Sequence, residues 1–246
     1  MSMLLFPTVI EAITEASEFA YKNETVYALT HVVLQVISNK LYVVSTDSYC
    51  LFVKEFDFFG EDSIFYLSQA MVETIKEFKK CKIELTLSEH RYKEIIITID
   101  SEDFAYSNYA MQANYKYPDW KSILFTPEQG LKFYLDVKET LKFIEENKIN
   151  SVISIHKEQC SIYRDFECVS IGSPIVRKID NNLSIDDSSP VLFRIQCLER
   201  ILKIFKEYNV VYLWIKPDEF FSNAFGKCLF IKDNLSIIVN FFSLQN

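Results

Sequence analysis

Three histidines could serve in acid–base chemistry or metal ligation: His31, His90 and His156. None stands at a triad-like or metal-ligand spacing from another candidate group. Carboxylates are more plentiful. Asp47, Asp100, Asp103, Asp119, Asp186 and Asp187 are the ones a nuclease or phosphatase could use to hold divalent metal. Asp186 and Asp187 fall in a turn-rich connector, where solvation is the simpler role. Asp47 and Asp119 sit inside short motifs and are expected to accept turn hydrogen bonds. The chain has no phosphate-binding GxxxxGK[ST] loop, no GxGxxG and no HExxH. Its six cysteines (Cys50, Cys81, Cys160, Cys168, Cys197, Cys228) are scattered without a CxxC pair, which argues against zinc. They read as reduced, mostly buried thiols in a cytoplasmic protein. The expectation is a protein without catalytic residues, metal or cofactor.

The groups that remain are cations and apolar surfaces, and these need elements to position them. The chain has 246 residues, 49% of them hydrophobic, with 14 Tyr and 21 Phe, ample for one large core or two medium ones. Only 4 Gly and 6 Pro argue against disorder or low complexity. The formal net charge of -8 argues against nucleic acid only if the charge is spread evenly, because basic residues can cluster on one face of an acidic molecule. The opening MSMLLFP is short, lacks a basic leader and reads as a first strand. No apolar run reaches the ~18 residues a membrane span needs, so no membrane partner is expected.

Alternation of Val32, Leu34 and Val36, then of Leu41, Val43, Leu51 and Val53, predicts an antiparallel hairpin with one buried face and Asn39–Lys40 at its turn. A polar cluster, Ser45-Thr46-Asp47-Ser48-Tyr49, interrupts the apolar second arm and marks a bulge or a strand-to-loop transition. Pro7 opens a helix that runs to about Tyr21 with an acidic outer face of Glu11, Glu15 and Glu18. Ser68 caps a second helix, Gln69 to Lys80, whose apolar stripe is Met71, Val72, Ile75 and Phe78. Helices are also predicted over Val137–Lys148 and Gln196–Tyr208. The strands between them fall so that a strand, a helix and further strands recur four times along the chain. Pro127 and Gly130 punctuate the midpoint, giving domains at 1–126 and 127–246. The predicted class is α+β, two similar domains with two helices each on curved antiparallel sheets.

The segment STDSYCLF, Ser45 to Phe52, resembles the ATDGHRLA-like segment that follows the opening hairpin in the middle domain of bacterial DNA polymerase sliding clamps. YKYPDWKSILF, Tyr115 to Phe125, resembles the FPDY-type segment that closes that domain. Ser48, Tyr49 and Cys50 stand where the family has Gly-His-Arg. The resemblance covers the whole chain and matches the middle and last domains of the three-domain bacterial subunit. Two-domain subunits are the pattern of the archaeal, eukaryotic (PCNA) and phage clamps, where three copies close a ring, so a homotrimer is implied.

The resemblance also implies sites. Helices that line the hole and face DNA would present Lys76, Lys79, Lys80 and Lys82, then Lys138, Lys142 and Lys148, then Arg200, Lys203 and Lys206. Lys138 and Lys142 lie at i,i+4 and Lys203 and Lys206 at i,i+3, so each pair shares a helix face. Such ammonium groups attract duplex phosphates without reading sequence. Any one of them also fits an ordinary solvated face, and the acidic first helix argues against a uniform track. A slot for a short client peptide would be lined by Leu29, Thr46, Ser48, Leu51, Pro118, Ile123, Phe242 and Leu244, residues that would otherwise serve as core. The implied partners are double-stranded DNA, a DNA polymerase, a clamp loader and further copies of the chain. The leading expectation is a processivity factor that tethers a polymerase. The alternative is a clamp-like peptide-binding scaffold or decoy that does not encircle DNA, and a small metal-dependent nuclease or phosphatase ranks behind both.

Overall fold

A computed structural model of the chain describes residues 2–22, 24–88, 94–101, 105–111, 117–124, 131–146, 152–155, 160–164, 167–171, 176–178, 191–207, 210–215 and 225–243. The chain divides into two compact units, Met1–Asp119 and Trp120–Asn246.

The first unit carries strands β1 (Ser2–Leu5), β2 (Val32–Ile37), β3 (Lys40–Thr46), β4 (Cys50–Asp57), β5 (Ser63–Leu67), β6 (Lys82–Ser88), β7 (Glu94–Asp100) and β8 (Ala105–Met111), with helices α1 (Pro7–Ser17) and α2 (Gln69–Glu77). Pro7 occupies the first turn of α1, where its missing N–H costs nothing. The hydroxyl of Ser68 accepts from the Met71 N–H to start α2. The strands form two antiparallel sheets, ordered β4-β3-β2-β5 and β1-β6-β7-β8. The second sheet alternates cleanly. Leu85 pairs with Met3 on one side and Ile97 on the other, and Ile83 likewise with Leu5 and Ile99, all buried. The residues between them (Lys82, Glu84, Thr86, Thr98, Asp100) face the other way. Helices α1 and α2 pack on each other, and α1 also packs on β2, β3 and β4.

The second unit repeats the element order. Its strands are β9 (Leu131–Asp136), β10 (Val152–Ile155), β11 (Cys160–Arg164), β12 (Glu167–Ile171), β13 (Val176–Lys178), β14 (Val191–Arg194), β15 (Val210–Ile215), β16 (Phe225–Lys232) and β17 (Leu235–Ser243), with helices α3 (Val137–Glu146) and α4 (Ile195–Ile204). The strand orders β12-β11-β10-β14 and β9-β15-β16-β17 reproduce those of the first unit element for element. Pairing of β14 with β17 joins the two halves, and β13 adds to β9. The described elements thus form four strand-helix-three-strand repeats, with β13 added to the third, and the expected fold class holds. Asp136, the last residue of β9, caps α3: its carboxylate accepts from the Glu139 N–H at 2.9 Å. Val137, Thr140 and Ile144 of α3 and Leu198, Ile201 and Leu202 of α4 are fully buried.

Several local expectations need correction. The turn between β2 and β3 is Ser38–Asn39, not Asn39–Lys40, because Ile37 pairs with Lys40. Both turn residues have positive φ (52° and 62°), the twist a two-residue hairpin loop requires. The hairpin is buried on both faces: Leu34 and Val43 point to one side, Val33 and Val44 to the other, and all four are inaccessible. Helix α1 ends at Ser17 rather than near Tyr21, and Glu24–Thr30 winds as a 3-10 segment with a kink at Val26. Helix α2 ends at Glu77, where Phe78 leaves helical geometry, so Lys79 and Lys80 lie beyond it. Helix α4 ends at Ile204, which leaves Lys206 outside it.

Candidate functional site

The polar interruption after β3 is a tightly bonded turn. The Thr46 hydroxyl donates to the Cys50 carbonyl at 2.7 Å and accepts from the Ser48 N–H at 3.1 Å. One carboxylate oxygen of Asp47 accepts from the N–H groups of Tyr49 (2.9 Å) and Cys50 (2.7 Å), while the Asp47 N–H donates to the Cys50 carbonyl. Thr and Asp are required because a short side chain with an acceptor can fold back on its own backbone. Asp47 therefore has the turn-bonding role expected of it. Ser48, with φ 74°, occupies the left-handed region. The family's glycine at this position would adopt that conformation without a Cβ clash.

Thr46 and Leu51 are direct cross-strand partners. They share the side of the sheet that carries Val33, Val44 and Val53, opposite the side where Phe52 meets Phe19 (5.5 Å between ring centres) and Lys54 pairs with Glu15 at 3.1 Å. Tyr66 pairs with Val33 on this side, away from the α1 contacts of Phe52 and Lys54, and its ring lies 6.4 Å from that of Tyr117. The YPD segment is thereby drawn to the surface that Thr46 and Leu51 face. Leu51 and Leu29 are buried, Thr46 is half-buried, and Ser48 and Pro118 are exposed. In the second unit, Trp120 is buried beneath the Lys121 ammonium, 5.5 Å from the ring, and Ile123 follows half-buried. Phe242 is in β17, and Leu244 lies outside the described residues. Tyr66 and Tyr117 were missed as site residues. Their signal was the adjacent Phe65-Tyr66 pair in β5 and the tyrosine one place before Pro118.

His31 is buried at 4% exposure just before β2. Its Nδ1 lies 3.2 Å from the Tyr27 carbonyl and 3.0 Å from the Thr30 hydroxyl, with the Tyr27 ring edge-on. Desolvation lowers its pKa from 6.5, against an opposing effect of the Tyr27 carbonyl, so the ring is neutral near pH 7. No cluster of His, Cys, Asp or Glu fit to hold a metal occurs among the described residues.

The cations separate into groups. Lys76 is on α2, bonded to Glu73 at 3.0 Å. Lys79 and Lys80 are exposed in the turn after α2, and Lys82 opens β6 opposite Asp100. Lys138 and Lys142 are exposed one turn apart on α3. Arg200 is half-buried on α4, where Lys203 pairs with Glu199 at 2.7 Å, and Lys206 is exposed beyond the helix end. Lys148 lies outside the described residues. Glu11 on α1 and Glu18 just past its end are exposed, while Glu15 is drawn to Lys54.

This architecture is the DNA clamp fold: α+β, with antiparallel sheets. The DNA polymerase III beta subunit of Borrelia burgdorferi matches 100% of this chain over 63% of its own length, with a TM-score of 0.77 and 15% identity. The sliding clamp of Pseudomonas aeruginosa matches 100% of the chain over 67% of its own (TM-score 0.75, 14% identity). That of Thermotoga maritima matches 100% over 66% (TM-score 0.74, 16% identity). The chain therefore spans about two thirds of the length of these clamps. No protein-family model matches it, and no curated protein sequence does. Among the described residues no helix is long and apolar enough to cross a membrane.

Proposed function

We propose that this chain is a sliding clamp: a non-catalytic DNA polymerase processivity factor that closes into a ring around duplex DNA. The observation that carries the reading is the match of all four repeats, 100% of the chain, to bacterial clamps, together with the bonded Thr46–Asp47 turn at the family's motif position. The proposed phosphate track is Lys76, Lys138, Lys142, Arg200 and Lys203 on the helices, flanked by Lys79, Lys80, Lys82, Lys148 and Lys206. The client slot is lined by Leu29, Thr46, Ser48, Leu51, Pro118, Ile123, Phe242 and Leu244. Tethering a polymerase raises its effective concentration at the template by linkage rather than by tight contact with DNA. Self-association closes the ring, and as a homotrimer of two-domain subunits it would hold six domains. A loader would open it. The test is retention on nicked circular duplex at elevated salt, followed by linearisation. A ring falls off the ends. A protein bound by ordinary contacts stays or leaves alike on both forms and overturns the reading.

A second reading has its own motivation in the exposed carboxylates of Glu11 on α1 and Glu18 just past its end, and in the replacement of Gly-His-Arg by Ser48, Tyr49 and Cys50. The chain would then capture client peptides as a scaffold or decoy without encircling DNA. Peptide binding with no stimulation of a polymerase on primed circular template would select it.

A further inference from the structure

Phe59, in the loop between β4 and β5, is 90% exposed. The loop that carries it is built rather than loose. Phe58 donates its N–H to the Asn39 carbonyl at 3.1 Å, and Asp62 accepts from the Ser38 N–H at 2.9 Å, so two turns brace each other. Gly60 lets the Phe58 ring lie on the loop backbone, since a Cβ there would sit 2.5 Å from that ring. The consequence is an aromatic side chain projecting into solvent from a braced loop. Around it stand Glu55, Asp57, Glu61 and Asp62 against the single ammonium of Lys40, which bonds Glu55 at 3.0 Å and Asp57 at 2.6 Å. The tip is an apolar anchor with an acidic rim.

The same unit carries the converse surface. Phe78, just past α2, stacks on Tyr106 of β8 at 6.4 Å and 25°, and Tyr106 is 43% exposed. Exposed Lys79 and Lys80 follow Phe78 directly in the turn after α2, against the carboxylate of Glu77, while Lys82 and Asp100 face the other side of the sheet from Tyr106. Aromatic meets aromatic and the rims carry opposite net charge, the combination that anchors protein contacts. A basic nucleic acid partner does not exist, and an anionic membrane would be repelled by the tip. We propose that Phe59 of one copy docks against the Phe78–Tyr106 pair and the Lys79–Lys80 turn of a second copy of this chain. The contact uses two different patches and is heterologous, so it builds from copy to copy unless a rotation closes it. It does not rest on the clamp reading, in which these lysines flank the DNA track.

The test places the photo-crosslinking residue p-benzoylphenylalanine at position 59 of the full chain and mixes heavy-nitrogen-labelled with unlabelled protein. Irradiation should give mixed-isotope crosslinks from position 59 to residues 77–82 or 105–107. Their yield should fall at least about tenfold with Lys79→Glu/Lys80→Glu as acceptor, the scale of losing an interface anchor. It should recover when the crosslinking copy also carries Asp57→Lys/Glu61→Lys. Thermal melting of each variant confirms that it is folded. Crosslinks between copies that land elsewhere, their absence, or a yield indifferent to both charge reversals would overturn the proposal.

Discussion

The backbone N–H of Cys50 points at the carboxylate of Asp47 from 2.7 Å, and the Asp47 N–H points back at the Cys50 carbonyl. This reciprocal pair closes the turn that resembles the clamp motif, so the motif's aspartate is a structural acceptor. Replacing it by alanine strands two N–H groups, those of Tyr49 and Cys50. Asp47→Ala should cost about 1–3 kcal/mol, and Asp47→Asn, which keeps an acceptor oxygen, distinctly less. Chemical denaturation of the two variants beside the parent checks the order. Equal losses would mean that the charge, not the acceptor, holds the turn.

Two departures from the family segment work against the fold locally. Ser48 holds φ 74° where the family has glycine, a conformation that costs a residue with a Cβ about 1 kcal/mol. Ser45 stands where the family has alanine; its hydroxyl is completely buried and makes no hydrogen bond among the described residues. Ser48→Gly and Ser45→Ala should each stabilise the chain by about 1 kcal/mol. The two should add only approximately, being three residues apart. Raised denaturation midpoints with unchanged slopes are the expected observation.

His31 supplies a pH dependence of known sign. Its pKa in the fold is below the 6.5 of an exposed histidine, because burial penalises the imidazolium. Between those two values the unfolded chain binds more protons than the folded one, so stability falls as pH drops through about 6.5 towards the lowered value. Above about 6.5 the contribution is constant. Melting temperatures of the parent should therefore decline more between neutral and mildly acidic pH than those of His31→Gln. Parallel declines would place the titration on another group.

The ion pair of Lys54 with Glu15 ties β4 to α1 at 3.1 Å with both side chains largely covered (17% and 23% exposed). Removing one partner leaves the other charge partly buried without its counter-ion, so the losses in Lys54→Met and Glu15→Gln should sum to more than the loss in the double variant. A coupling energy of about 1 kcal/mol from the double-mutant cycle is expected, and a value near zero would mark the pair as an ordinary surface contact.

Strand content was legible in the sequence because β-branched and aromatic alternation is a local signal, and Pro7 and Ser68 announce their helices. What was not legible depended on distant partners. Nothing near Phe78 says that α2 must stop at Glu77; Phe78 leaves the helix towards Tyr106, 28 residues on. The double burial of β2 and β3 was hidden for the same reason. Val33 and Val44 look like the solvent side of an alternating hairpin until Tyr66 and Tyr117 are brought to that face. At the candidate site the motif positions could be read, but the exposure that separates Ser48 and Pro118 from the buried Leu29 and Leu51 could not.

The cations differ in how available they are for phosphate, and that difference is measurable. Lys76 and Lys203 already bond Glu73 and Glu199 on their own helices. Lys138 and Lys142 project from one face of α3, both exposed. If α3 faces duplex DNA, those two ammonium groups displace condensed counter-ions, and each phosphate neutralised contributes about 0.9 to the slope of log affinity against log salt. Lys138→Ala/Lys142→Ala should flatten that slope by up to about 1.8 without changing preference among duplex sequences. Lys40→Ala, removed from the acidic tip, should leave the slope unchanged. Binding titrations across a salt series decide it, and an unaltered slope in the α3 variant would remove that helix from the DNA surface.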